Sequence, residues 1–385
     1  MPWKETCTMK ERELFINAWL ERVSNVAQLC RRFGISRKTG YKWIERFKAE
    51  GMPGLKDRSR ARLSQTRRTP EAVVEKILRL KHNHLDWGPV TIESALYRAH
   101  PDQAWPAIST IGEILKRHGL VKPRRKRHKV PPQSQPLAHA TAPNEVWSAD
   151  FKGQFTLGDG KTCYPLTISD NHSRLLISCQ GLYGPKLAPS MKVYERAFRE
   201  YGLPRRIRTD NGYPFAMVTL GGLTPLTVWL IKLGVMPERI DSGCPQQNGR
   251  HERMHRTLKA ATACPPKGNL SAQQRAFNRF RKEFNEVRPH QSLGRGICPM
   301  DVHRLSPRHY PETLEEIAYP DHLMVRKVKQ GGYIKLNGHP FYITRQLTGE
   351  YVGLEPLGYG CWQLLFSELR LAVVDERLKR VIRPV

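Results

Sequence analysis

The chain has 385 residues and a formal net charge of +29, enough length for roughly two to four domains with at least one sizeable core and enough charge to point to a polyanionic partner, nucleic acid before an acidic membrane. No apolar run is long enough to span a bilayer, and the start, MPWKETCTMKERE, lacks the apolar core of a signal peptide. The eight cysteines are scattered with no CxxC, which argues against a zinc knuckle or a disulfide framework and for a reduced, cytoplasmic setting.

Residues 1–52 read as a helix-turn-helix unit. Thr8 and Glu11 make a capping box, and Leu14, Phe15, Ala18 and Trp19 an apolar stripe up to about Arg22. Ser24 is the expected cap of a short helix with Val26, Ala27, Leu29 and Cys30, and Gly34 turns the chain. Ser36 caps SRKTGYKWIERFK, in which Tyr41, Ile44 and Phe47 face inward. Arg37, Lys38 and Lys42 stand on the other side near its start, where a reading helix presents residues to base edges. Gly40 costs that helix about 1 kcal/mol against Ala, with close approach to DNA as the one reason at hand. The bland alternative is a three-helix bundle with basic solvated faces.

Residues 53–68 read as a polar linker. Residues 69–121 read as a second helix-turn-helix: Thr69-Pro70 opens it, Trp87-Gly88-Pro89 turns it, and a reader helix starts at Ser109 and ends at Gly119. His82 and His84 have no Cys pair beside them and are expected on the surface. Residues 122–143 are a basic, Pro-rich linker, in which Arg124, Arg125 and Arg127 suit phosphate tracking.

The period then changes. Three strands are expected at 146–155, 163–169 and 175–179, then a helix at 189–201, a short strand at 205–209, a helix at 224–234 and a strand at 236–240. This order makes a mixed α/β sheet over residues 144–305. Asp150 on the first strand and Asp210 after the fourth can then lie side by side, since paired strands run about 4.8 Å apart. Glu252 follows on a helix that begins near Asn248-Gly249. Glu252, His255, Arg256 and Lys259 are spaced to share one face, and Met254, Leu258 and Ala261 to bury another. Three converging carboxylates suit two hard divalent cations, Mg²⁺ or Mn²⁺, about 3.5–4 Å apart, which activate an attacking oxygen and stabilise a leaving one. Asp159 in a hairpin tip and Asp170 at a strand end are rivals better read as turn residues.

Asp150 in WSADF, Asp210 in TDNG, Glu252 within PxxNGRxERxHRTLK and the later FNEVRPHQSLG together resemble the DDE transposases of bacterial insertion sequences and, more distantly, retroviral integrases. The resemblance spans roughly residues 8–300. It implies an RNase H-like core, catalysis by Asp150, Asp210 and Glu252, and a DNA-contacting Lys259, with Arg256 and Asn248 beside it. It also implies binding of terminal inverted repeats and target double-stranded DNA by at least a dimer, in the bacterial cytoplasm at the nucleoid. The stretch between Asp210 and Glu252 is longer than is usual in that family, and the extra residues are expected at 214–225, as a loop over the site. From about 320 to 385 alternation returns, with a hairpin at Asn337-Gly338, and a small all-β barrel is expected. Two other classes compete with the enzyme: a transposase-derived helix-turn-helix regulator without catalysis, and a structure-selective nuclease. The three carboxylates at the family's positions disfavour the first, and two helix-turn-helix units disfavour the second.

Overall fold

A computed structural model of the chain describes residues 7–58, 68–121, 137, 139–241 and 244–383. Two units divide at Arg68/Thr69. Arg124, Arg125 and Arg127 lie outside the described residues, as do residues 59–67 of the expected first linker.

The first unit holds α1 (Thr8–Leu20), α2 (Val26–Arg32) and α3 (Arg37–Glu50). Their core is Phe15, Ile16, Leu29, Cys30, Trp43 and Ile44. Ser36 caps α3 by accepting from Thr39 N, as expected, but Cys7 and Asn25, not Thr8 and Ser24, cap α1 and α2. Trp43 takes the inward place expected of Tyr41, which is exposed, as is Leu14. Gly40 has its reason inside the bundle: a Cβ there would lie 2.4 Å from Cys30 Sγ, so α3 seats on α2 only without a side chain. Leu55, in the short turn Met52–Leu55, is fully buried in the same core, and Arg12 donates to its carbonyl. Residues 53–57 therefore belong to this unit rather than to a linker.

The second unit opens with α4 (Glu71–Asn83), α5 (Pro89–Ala99) and α6 (Ile108–Arg117), packed on Ile77, Trp87, Ile92, Ile111 and Ile114. Neither Thr69 nor Ser109 caps: Pro70 and Ala107 hold the N-cap positions without a side-chain bond. His84 is not a surface histidine; it stacks on Trp87 and bonds Glu283 Oε1 at 2.7 Å.

The central sheet is β1 (Val146–Phe151), β2 (Phe155–Thr156), β3 (Thr162–Asp170), β4 (Leu176–Leu182), β5 (Arg206–Thr209) and β6 (Met236–Arg239). β3 pairs antiparallel with β1, β2 and β4, while β5 runs parallel to β1 and β6 to β5. The expected first strand is thus two, broken after Phe151. Helices α7 (Leu187–Tyr201) and α8 (Pro225–Lys232) share one core cluster with the sheet, around Trp147, Tyr194, Phe198 and Leu230. Helices α9 (Gly249–Thr262) and α10 (Leu270–Lys282) share another, around Met254, Leu258, Phe277 and Phe280. A π-type turn, Glu283–Val287, and α11 (Pro299–Val302) follow. The free edge of β4 is closed by side chains instead of a strand. Asn285 bonds both N–H and C=O of Leu176, Gln274 reaches Cys179 O and Gly181 N, and Arg281 reaches Ile177 O. Covering an edge this way blocks strand addition.

The segment after α10 also holds the α4–α6 bundle. Arg288 pairs with Asp86, Arg295 with Glu93 and Asp301 with Arg98, while Gly296 N donates to Ser94 Oγ. Within the FNEVRPHQSLG motif, Arg288 thus serves this docking and Asn285 the β4 edge.

Seven strands complete the chain: β7 (Met324–Lys327), β8 (Tyr333–Leu336), β9 (His339–Tyr342), β10 (Tyr351–Gly358), β11 (Cys361–Phe366), β12 (Leu369–Asp375) and β13 (Arg380–Ile382). They form an open five-stranded sheet, β13-β12-β11-β10-β7, and a β8–β9 hairpin that turns at Asn337-Gly338, both at positive φ. No ladder joins β13 to β7 among the described residues, so the expected closed barrel is replaced by two sheets on one core. That core also takes Leu220, Leu223, Val228 and Ile231. Gly221 approaches Leu371 so closely that a Cβ would sit 2.7 Å from it. Of the 214–225 stretch, which the sequence suggests as a loop over the site, residues 220–223 thus seat the C-terminal strands and Phe215 packs on Phe151 beside Asp150.

Asn285→Ala leaves a buried N–H and C=O on Leu176 without partners. Urea unfolding should show a loss of about 2–3 kcal/mol; a loss no larger than that of the exposed Gln291→Ala would contradict the edge-closing role.

Candidate active site

In the β1–β5 ladder Trp147 faces Ile207 and Ser148 faces Arg208. Two positions further along both strands are Asp150 and Asp210, so the parallel register itself sets one carboxylate beside the other. The TDNG motif holds this strand end. Asp210 accepts from Gly212 N at 3.1 Å, and Asn211 ties the turn to Ile240 O at 2.8 Å. A Cβ at Gly212 would crowd the Asp210 carboxylate, 3.2 Å from Oδ2. Arg208 pairs with Glu238 on β6 at 2.6 Å and donates to Gln247 O, which links the strands to the turn before α9.

Helix α9 lies over this pair. Its buried face is His251, Met254, His255, Leu258 and Thr262. His255 is therefore on the packed side, not beside Glu252, and Ala261 is exposed. The two imidazoles anchor the helix to β3. Thr167 Oγ1 lies 2.8 Å from His251 Nε2 and 2.6 Å from His255 Nε2, and Ser169 Oγ lies 2.7 Å from His251 Nδ1. Thr167 also donates to the carbonyl of Asp150. Burial drives His251 down to about 3 and His255 lower still, so both are neutral. Spacing alone did not reveal this pair; the clue was two histidines four apart on the side of Met254 and Leu258.

The carboxyl of Asp150 is pushed up to about 7, first by burial and then by Asp210, with Glu252 adding to the effect. Both other acids thus act on Asp150, although Glu252 is exposed on the helix surface. Tyr194 lies beneath the pair, its buried hydroxyl without a partner among the described residues and its ionisation opposed by burial and by both aspartates. Among the described residues no three His, Cys, Asp or Glu side chains are gathered closely enough to hold a metal ion. The donor chemistry still fits a hard cation: all ligands are carboxylate oxygens, and Asp150 is an unstable anion until positive charge joins it. The rivals lie elsewhere. Asp159 accepts from Lys161 N in its hairpin. Asp170 is buried, and although burial opposes its charge, bonds from His303, Ser173 and Asn144 N hold its carboxyl below the usual range.

Lys259 and Arg256 are exposed along α9 from Glu252. Asn248, expected at DNA, is instead buried at the helix start, its Oδ1 without a partner among the described residues. In the first unit Arg37, Lys38 and Lys42 are exposed at the start of α3, Lys42 reaching over the Trp43 ring.

An apo protein should be least stable where Asp150 is forced to ionise. Its folded value lies above the ordinary carboxylate value, so stability is full below about 4 and falls as pH rises through about 7. Asp150→Asn removes this loss. In chelator, its melting temperature should exceed wild type at pH 8 and converge with it near pH 4; equal melting at pH 8 would rule out the strained carboxyl.

Family comparisons agree with this architecture. Residues 233–296 match the model of an integrase core domain, residues 11–62 that of a helix-turn-helix domain, and residues 39–115 that of a homeodomain-like domain. The chain is 27% identical over 227 residues to the insertion element IS407 uncharacterized 31.7 kDa protein of Burkholderia multivorans, covering 58% of this chain and 78% of that one. It is 25% identical over 226 residues to the insertion element IS476 uncharacterized 39.2 kDa protein of Xanthomonas euvesicatoria, covering 58% of this chain and 63% of that one. Among solved structures, the HTLV-2 integrase catalytic core domain in complex with magnesium aligns at 17% identity and TM-score 0.34, over 43% of this chain and all of that one. A simian T-cell lymphotropic virus intasome aligns at 17% identity and TM-score 0.38, over 80% and 98%. No helix among the described residues is long and apolar enough to cross a membrane. The chain resembles the transposases of bacterial insertion sequences, with helix-turn-helix domains toward its N-terminus and an integrase core at its centre.

Proposed function

We propose that the chain is a DNA transposase that binds the inverted repeats at the ends of an insertion sequence, cuts there and joins the freed 3′-hydroxyls to target DNA. The observation that carries this reading is the Asp150–Asp210 register beneath Glu252, with the Asp150 carboxyl pushed up to about 7 by burial and then by Asp210. Asp150, Asp210 and Glu252 would hold two Mg²⁺ or Mn²⁺ ions. Bound there, divalent ions lower the pKa of an attacking water or hydroxyl and neutralise charge on the leaving oxygen. With ions held there, Asp150 would serve as a carboxylate, Asp210 is positioned by its bond from the Gly212 amide, and Glu252 would contribute from the exposed side of α9. His251 and His255 keep the helix in place without entering the reaction. No protein nucleophile is required.

The domain scheme that goes with this is a first reader over 1–52, a second reader over 69–121, a catalytic core over 144–305 and C-terminal strands from 320. Arg37, Lys38 and Lys42 read bases; Arg124, Arg125 and Arg127 follow phosphates. Arg256 and Lys259 contact the element end. Lys259 stands two turns from Glu252, about 10.5 Å along the helix axis, or about three base steps of B-DNA. Two ends must be joined, which calls for at least a dimer, working in the bacterial cytoplasm at the nucleoid.

Asp150→Asn, Asp210→Asn and Glu252→Gln should each abolish Mg²⁺-dependent nicking of labelled end DNA while gel-shift affinity stays near wild type. Lys259→Ala should nick more slowly, with part of the rate restored by Lys259→Arg. Normal nicking by any carboxylate variant would reject the triad, and wild-type rates for Lys259→Ala would reject its contact.

Replacing Arg37, Lys38 or Lys42 with Ala should weaken binding to element ends more than to random duplex, by about 1–3 kcal/mol per base contact. Equal weakening on both DNAs would mark them as phosphate contacts.

A further inference from the structure

Beside the carboxylates lies a cluster of cations that the catalytic reading leaves unused. Arg174, in the β3–β4 turn, and Arg250, in the first turn of α9, both donate to Asn171 O, at 2.6 and 3.3 Å. One carbonyl oxygen thus draws two guanidinium groups together. Arg174 Nε donates to Ser292 Oγ at 3.2 Å, and Ser292 contacts His290 Nδ1 at 3.0 Å. Arg253 follows Arg250 by three residues, so the two share a face of α9.

The charge of this cluster is uncompensated. Elsewhere in the same unit Arg98, Arg208, Arg288 and Arg295 each hold a carboxylate. Arg174, Arg250 and Arg253 have none within ion-pair distance among the described residues. The carboxylate that does attract Arg174, Asp170, is already occupied by Asn144 N and by both the amide and the hydroxyl of Ser173. The backbone bears a second cost: Arg174 sits at φ 65, where a Cβ is unfavourable and Gly or Asn is usual. Titration agrees with the geometry. Burial and then Arg250 bring Arg174 down to about 10, and burial, Arg174, Arg288 and Arg253 bring His290 down to about 4. A strained, mutually repelling group of guanidinium forks is what a bound phosphate would relieve.

We propose that Arg174, Arg250 and Arg253, with Ser292, form a pocket for a backbone phosphate of DNA, separate from the line of Glu252, Arg256 and Lys259. At about 100° per residue, Arg253 lies roughly a quarter-turn around α9 from Glu252 and Arg250 nearly half a turn. Arg253 also neighbours Arg256, three residues on, so the pocket borders the strand tracked by Arg256 and Lys259, while its Arg174–Arg250 side, nearly half a turn from Glu252, takes a second stretch of backbone. The proposal rests on the reading of this chain as a DNA-joining enzyme, and the phosphate can come from the element's flank or from target DNA.

The test uses the full chain in chelator and a short blunt duplex of arbitrary sequence, titrated at several salt concentrations. Arg250→Gln/Arg253→Gln should bind about tenfold or more weakly, and the slope of log K against log[salt] should fall by about 0.9 for one lost phosphate. Arg174→Gly should show the same loss while melting no lower than wild type, since Gly suits φ 65. This variant separates lost binding from lost folding. Lys192→Gln, an exposed charge on α7, is the control and should leave the slope unchanged. Slopes of the arginine variants equal to wild type overturn the pocket, whatever the catalytic assays show. Absence of metal-dependent nicking in wild type would instead overturn the transposase reading and leave the slopes standing. The source of the phosphate follows from end nicking and joining to plasmid. Loss of joining alone assigns it to target DNA, and loss of both to the element end.

Discussion

Helix α9 reaches the sheet through two imidazoles, and the placement of Glu252 depends on them. A buried histidine is tolerated when it is neutral and its ring nitrogens have partners. Thr167 and Ser169 satisfy three of the four. Because Thr167 donates to the carbonyl of Asp150, its oxygen accepts from Nε2 of both rings. That assigns the proton to Nε2 in each and leaves Nδ1 of His251 to accept from Ser169. Nδ1 of His255 is then unprotonated and faces Asp150 Oδ2 at 3.8 Å. One hydroxyl thus joins the strand bearing Asp150 and the helix bearing Glu252. A shift of α9 by one residue would carry both histidines off Thr167 and rotate Glu252 away from the aspartates.

The sheet supplies the other half by register. Parallel pairing of β1 with β5 puts Asp150 and Asp210 at matching positions, and their proximity is a cost the fold must carry, seen in the raised Asp150 carboxyl. Arg208, one residue before Thr209, does not relieve that cost, because it is turned to Glu238. Lys152, two residues beyond Asp150, offsets part of it, and further positive charge is gathered around the carboxylates on Arg256, Lys259 and the Arg174 group. An acidic centre ringed by cations attracts a polyanion to its rim and leaves its middle for hard metal ions.

Much of this was legible in the sequence, because the carboxylates sit at a strand middle, a strand end and a helix start, where periodicity and turn residues are informative. The element order of the core and the cap at Ser36 came from the same signals. What was not legible depends on which side of an element faces a partner. His255 has the spacing of an exposed neighbour of Glu252, yet it is buried because β3 offers Thr167 there. Asn248 sits in a motif suggestive of DNA contact and is buried. Gly40 is costly to a helix taken alone, and its reason, the close approach of Cys30, is tertiary. The barrel expected at the C-terminus failed for a similar reason: alternation gives strands and their faces, but closure needs an edge-to-edge ladder that no residue pattern announces. The caps at Thr8, Ser24, Thr69 and Ser109 missed because proline and neighbouring residues set the helix starts.

The docking of α4–α6 on the core has a consequence for how DNA would be presented. Arg288–Asp86, Arg295–Glu93 and Arg98–Asp301 are partly exposed pairs, and each contributes little stability on its own. Their value lies in fixing pose. Three differently spaced pairs, the His84–Glu283 bond and the Ser94–Gly296 bond are satisfied together in one orientation, and sliding the bundle by a helical turn would leave several charges unmatched. The docked residues come from the turn after α4 and from α5, and among the described residues the side of α6 with Ser109, Lys116 and Arg117 is exposed. In the proposed function α6 would be a reader helix held in a fixed pose on the core. With α6 on DNA, the distance from its bases to the carboxylates is set by the fold, so its register would select which phosphodiester meets Asp150, Asp210 and Glu252. On this argument the ion pairs at 86–98 and 288–301 belong to the cutting specificity of the proposed enzyme, although none of them touches the site.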